Sequence, residues 1–177
     1  EIYEQATKIS HNVDELVSLA RIQDQPLCGT LKLGVIPTIA PYMLPQILPS
    51  LQKNFTNLNI QLFEDLSERL IEQLLRRKID LLLMAFPYDA EGIETRILFE
   101  EPFLIAAPAG KYKDKVVELS FLKDKQVLLL EDGHCLRDHA LQACQVQSAP
   151  QKRTFSATSL PTLIQMISHG YGITLLP

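Results

Sequence analysis

From Leu27 onward, short apolar runs of strand length alternate with segments whose apolar residues recur every three or four positions, and this alternation restricts the fold more than any other feature. Strands are expected at Leu31 to Ile36, Leu58 to Phe63, Ile79 to Phe86, Gln126 to Leu130, Arg153 to Ala157 and Ile173 to Leu176. Helices are expected near Pro41 to Phe55, at Leu66 to Arg77, from Cys135 to about Val146, and at Leu160 to His169. Strand–helix alternation of this kind is the signature of an α/β fold, a parallel-rich sheet with helices on both faces. The run Ile79 to Phe86 is apolar except for Asp80, which predicts a strand buried on both faces.

Two segments test the pattern. Pro37, Pro41, Pro45 and Pro49 stand four apart, yet Tyr42, Leu44, Ile47, Leu48, Leu51 and Phe55 keep helical spacing between them. A helix distorted at Pro45 is the expectation, because a proline inside a helix lacks the N–H and crowds the preceding turn. Upstream, Ile2, Ala6, Ile9, Val13, Leu16, Val17 and Ala20 form one apolar stripe on a helix, which either packs on its own domain or pairs with a partner helix. Gln23 to Pro26 reads as a linker.

Composition excludes several classes. The chain has 177 residues, 46% hydrophobic, enough for a core of one domain or two small ones. Its 17 basic and 21 acidic side chains leave a net charge of −4, against direct grip on a phosphate backbone. No apolar run approaches the roughly 18 to 20 residues that span a bilayer. Glu1 to Lys8 is polar and shows no signal peptide, and the absence of an initiator Met suggests a piece of a longer protein. These features predict a cytoplasmic location with no membrane partner. Three cysteines do not make a disulfide scaffold, and with no CxxC and scattered histidines no metal site or cofactor is expected.

Chemistry concentrates in the segment from Leu128 to Cys144. A strand enters a glycine-containing loop, and Cys135 lies at the start of the following helix, where free backbone N–H groups favour an anion. Arg137, His134 and His139 could lower its pKa, while Glu131 and Asp132 oppose them. Leu136, Ala140, Ala143 and Cys144 fall on one face, so Cys144 is expected in the core. Nine helical residues rise by about 13.5 Å, and a disulfide needs Cα atoms within about 7 Å. A helical segment would have to unwind before the two cysteines bond. Spacing alone favours two packing residues. Thr38 reads as a helix N-cap or as a ligand-facing hydroxyl at a strand end. Thr158 and Ser159 read as caps of the helix at Leu160, with Pro161 in its first turn, and His169–Gly170 as that helix's end.

The run Leu130-Glu-Asp-Gly-His-Cys-Leu-Arg-Asp138, with a second cysteine nine positions beyond the first, resembles the switch segment of the OxyR proteins, the peroxide sensors among LysR-type transcriptional regulators. Gly34-Val-Ile-Pro-Thr-Ile-Ala-Pro-Tyr42, Leu44-Pro45, Ala157-Thr-Ser-Leu160 and Gly172-Ile-Thr-Leu-Leu-Pro177 agree in the same order along the chain. The resemblance implies two α/β subdomains of the periplasmic-binding-protein type II kind joined by crossover strands. Residues 1–25 would be a linker and dimerisation helix, 26–100 the first part of subdomain I, and 101–177 subdomain II. It implies that Cys135 is the peroxidatic cysteine, Cys144 its resolving partner, and Thr38 and His134 its pocket companions. The implied partners are hydrogen peroxide, a second copy in a homodimer or dimer of dimers, DNA through a winged helix-turn-helix domain outside this sequence, and RNA polymerase. Thr154 stands where some relatives have a histidine, and Ala85 and Phe86 where some offer a hydroxyl. The rival readings are a LysR-type domain for a small organic ligand, a thiol peroxidase that turns over many equivalents, and a solute-binding protein.

Overall fold

A computed structural model describes residues 27–88, 91–112, 119–122, 125–143 and 156–177, together with residues 2, 5, 6, 9, 10, 12, 13 and 16. Those eight are helical, and Ile2, Ile9, Val13 and Leu16 of the apolar stripe are exposed. The described part of the stripe therefore is not buried on the chain's own domain.

The rest builds two sheets. The first is wholly parallel, with strand order β2-β1-β3. β1 (Gly29–Val35) lies at its centre, between β2 (Leu58–Glu64) and β3 (Leu81–Leu83). Helix α1 (Ala40–Asn54) connects β1 to β2, and α2 (Ser67–Leu75) connects β2 to β3. Leu33 and Val35 of β1 pack with Ala40 and Leu44 of α1, so the β1–α1 unit buries its own core. The second sheet pairs β4 (Leu104–Ala106) antiparallel with β5 (Thr174–Leu176). Val127 bridges Ile173 and Leu130 bridges Ala157, both in parallel sense. Helices α3 (Cys135–Ala143) and α4 (Leu160–Ser168) pack on this sheet through Leu136 and Ala140 and through Leu160, Leu163 and Ile167.

Several expectations are met and several corrected. α1 is continuous through Pro45 and Pro49. Pro41, Pro45 and Pro49 all lie on its exposed face, where water can reach the carbonyls that the missing N–H groups leave free. The run Ile79 to Phe86 forms only the three-residue β3, and Leu81 is 54% exposed. Asp80, Leu81 and Phe86 are exposed and β3 is an edge strand among the described residues, so the run is not buried on both faces. The expected strand Gln126 to Leu130 contributes two single bridges, and Arg153 to Phe155 lie outside the described residues. Ser159 caps α4 by accepting from the Thr162 N–H at 3.4 Å, with Pro161 in the first turn and His169 at the C-cap.

Gly172 holds the second sheet together by having no side chain. A Cβ there would lie 2.5 Å from the Gln126 carbonyl oxygen, which itself accepts from the Ile173 N–H. Backbone cannot retreat as a side-chain tip can. Gly172→Ala is expected to lower stability by about 1 to 2 kcal/mol through overpacking, read as a fall in thermal melting temperature.

Candidate functional site

α3 begins at Cys135, and the approach to it is pinned. The Arg137 Nε lies 2.8 Å from Asp132 Oδ1, and its Nη1 donates to the Leu130 carbonyl at 3.0 Å. The guanidinium is thereby committed to the loop that precedes the helix. Gly133 turns that loop at φ +96, a left-handed conformation that favours glycine. A Cβ at Gly133 would come within 3.0 Å of Leu66, so the loop of the second sheet rests on the residue that leads into α2 of the first.

Cys135 therefore lies where the two sheets meet. It is a free cysteine, 4% exposed, and packs with Ile36, Leu70 and Ile79, all from the first half of the chain. Thr38 is buried between Ile36 and Ile39, both of which belong to the packing around Cys135. Ile39 occupies the N-cap position of α1 and no side chain caps it, so the Thr38 hydroxyl is not the cap. His134 is buried beside Cys135 in sequence, and its carbonyl accepts from the Arg137 N–H at 2.9 Å. Cys144 lies outside the described residues, as does Thr154.

The electrostatics decide a sign that the opposing charges in the sequence left open. Burial pushes the Cys135 thiol above its ordinary value. The Ser67 hydroxyl and the backbone N–H groups of Ala85 and Leu136 pull it back toward the thiolate, and Asp138 raises it further. Arg137 is neutralised by Asp132, and His139 turns away to the Pro87 carbonyl at 2.7 Å. Burial also pushes the His134 imidazole down, against the pull of the Thr158 carbonyl and Glu131, which leaves it neutral near pH 7. The resting sulfur is thus a protonated, shielded thiol rather than a standing thiolate.

Ser67 is the residue that sequence reading missed. It opens α2, is 2% exposed, and its Oγ makes no hydrogen bond of acceptable geometry. It nevertheless faces the sulfur closely enough to favour the thiolate. An unpaired buried hydroxyl is costly and rare, and here it stands next to the reactive atom. The sequence directed attention to Ala85 and Phe86 for such a group; the hydroxyl comes from Ser67 instead, and Ala85 contributes its N–H. A serine opening a helix reads as an ordinary terminal residue, so only its facing partner distinguishes it. Among the described residues no cluster of three or more His, Cys, Asp or Glu could hold a metal ion.

Comparison with known proteins places this arrangement. The LysR substrate binding domain pattern matches residues 24–177. The chain is 38% identical to the HTH-type transcriptional regulator EstR of Acinetobacter baylyi, over 94% of the chain and 56% of that protein. It is 38% identical to the hydrogen peroxide-inducible genes activator of Pectobacterium carotovorum, over 99% of the chain and 59% of that protein. The reduced form of the regulatory domain of OxyR2 from Vibrio vulnificus superposes with a TM-score of 0.77 at 37% identity, covering 88% of the chain and 74% of that structure. The chain spans a little over half the length of the curated relatives it matches.

Proposed function

Because the chain belongs to the LysR substrate-binding domain family, we propose that it is the redox-sensing regulatory domain of a peroxide-responsive transcriptional regulator. Its fold is of the periplasmic-binding-protein type II kind, shared with OxyR regulatory domains. The observation that carries the reading is the setting of Cys135: a lone thiol at a helix start, buried between two sheets, faced by an unpaired serine hydroxyl and two backbone N–H groups.

In this mechanism hydrogen peroxide enters the space beside Cys135, and Ser67 and the N–H groups of Ala85 and Leu136 stabilise the thiolate as it forms. Thr38 and His134 line the approach. The thiolate takes one peroxide oxygen, the O–O bond breaks, and hydroxide leaves, to be protonated to water. The Cys144 thiol then attacks the sulfenic sulfur, forming the disulfide and releasing a second water. With α3 intact from Cys135 to Ala143, that bond requires unwinding, since nine helical residues rise by about 13.5 Å. The switch is this change in residues 131–147.

Residues 26–100 and 101–177 act as the two subdomains. The exposed N-terminal stripe pairs copies of the chain in a dimer, and DNA contact belongs to a winged helix-turn-helix domain outside this sequence, in a cytoplasmic regulator that recruits RNA polymerase. No helix of the described residues is long and apolar enough to cross a membrane. The family is one of transcriptional regulators, which is not an enzyme class.

Brief hydrogen peroxide treatment followed by mass spectrometry tests the reading. A Cys135–Cys144 linked peptide with Cys28 unmodified is the expected result, and its absence would refute a disulfide switch. The family's description as a substrate binding domain favours one other reading, a small organic ligand bound between the sheets. It expects a Cys135→Ser protein to respond to that ligand unchanged.

A further inference from the structure

We propose that the segment 84–88, tied to α3 by His139, is a gate over Cys135 that admits hydrogen peroxide and excludes larger hydroperoxides. The inference rests on the peroxide-sensing reading above and adds a determinant of selectivity to it.

Ile36, Leu70 and Ile79 wall the sulfur from the first sheet and its helices. The remaining cover comes from the chain that leaves β3: Met84, Ala85 and Tyr88 pack on the same cluster, and the Ala85 N–H favours the thiolate. Tyr88 is partly buried, and burial, Glu68, the Cys135 thiol and Asp138, in that order, hold its hydroxyl above the ordinary phenol range. The ring thus stands neutral among the groups that surround the sulfur. Cys135 is only 4% exposed under this cover, so an oxidant reaches it when the cover lifts.

What holds the cover is specific. His139 lies four residues after Cys135, on the same face of α3. Its Nε2 lies 2.7 Å from the Pro87 carbonyl, joining two segments 52 residues apart in sequence. The bond runs from the helix that carries the reactive sulfur to Pro87, between Ala85 and Tyr88 of the segment that shields it. His139 thereby acts as a positioning residue for the gate, not as a charge that activates the thiol.

Selectivity separates this role from reactivity. With either hydrogen peroxide or an alkyl hydroperoxide, the thiolate takes the outer oxygen and the O–O bond breaks. The departing hydroxide or alkoxide is protonated to water or the alcohol. The two reactions draw on the same thiolate, so a change in its abundance moves both rates together. A change in the gate moves their ratio.

The test measures the rate of Cys135 oxidation in the full chain with hydrogen peroxide and, in parallel, with cumene hydroperoxide. Sulfenic acid trapped by dimedone and any Cys135–Cys144 disulfide are summed by mass spectrometry. His139→Ala is expected to raise the cumene hydroperoxide rate about fivefold, the scale of one hydrogen bond, with a smaller change for hydrogen peroxide. His139→Gln, whose amide N–H can reach the same carbonyl, keeps the wild-type ratio, and Tyr88→Ala narrows it. An unchanged ratio in both His139→Ala and Tyr88→Ala overturns the gate while leaving the peroxide reading intact. A wild-type Cys135 inert to hydrogen peroxide overturns that reading and the gate with it. Should His139→Ala fail to fold, an unchanged ratio in Tyr88→Ala alone decides against the gate.

Discussion

Cys135→Ser is expected to abolish the peroxide response, with no disulfide and no peroxide-driven change in helix content. A serine hydroxyl does not form an appreciable anion at neutral pH and does not attack an O–O bond, so the first electron transfer has no donor. The fold should tolerate the change, because serine is close in size and Ser67 faces the same position. Burial of the new hydroxyl costs about 1 kcal/mol if it finds Ser67 as a partner. The check is circular dichroism before and after peroxide, with thiol counting of Cys144. A helix loss that persists in Cys135→Ser would show that the switch does not run through this sulfur. Cys144→Ser should differ in kind: Cys135 still reaches sulfenic acid, and α3 stays helical because nothing captures it.

Ser67→Ala is expected to slow Cys135 oxidation about tenfold, the scale of a hydrogen bond to a charged group, without destabilising the protein. The hydroxyl makes no properly formed bond in the resting thiol state, so its removal costs no native interaction and ends the burial of an unpaired polar atom. Its favourable effect is on the thiolate, which burial otherwise disfavours. The sign follows directly. The Cys135 thiol is already raised, so its reaction quickens as pH climbs toward and through that value. Removing a group that lowers it moves the pH midpoint further up. Oxidation or alkylation rates of Cys135 across pH would read that shift, and Ser67→Thr, which keeps the hydroxyl, should restore the wild-type profile. A purely structural serine would alter melting temperature and leave the pH midpoint where it was.

These two residues also mark the boundary of what could be read from sequence. Cys135 was legible because its setting is local: a glycine loop and a helix start follow one another within a few residues, and both fold as expected, while the strand before them contributes only two bridges. Ser67 was not, since nothing within its own helix distinguishes it. Its importance comes from Gly133 resting on Leu66 and from Cys135 packing on Leu70, contacts that join segments more than sixty residues apart. The resemblance to LysR-type regulators foresaw two sheets, whereas alternation alone suggested one parallel-rich sheet with helices on both faces.

What the sequence determined by itself was periodicity and therefore most of the elements: that a helix runs through the prolines spaced four apart, and that a cysteine begins α3. Hydrophobic spacing is a property of consecutive residues, so it survives without knowledge of neighbours. Tertiary structure decided the rest. It cut the run after Lys78 to a three-residue strand, because only Leu81 to Leu83 register against β1. It committed Arg137 to Asp132 and Leu130, and His139 to Pro87, which removed the charges that proximity in sequence had offered to the thiol. Desolvation then set the direction of the Cys135 shift, since burial depends on every segment that packs around an atom and not on those adjacent to it in the chain.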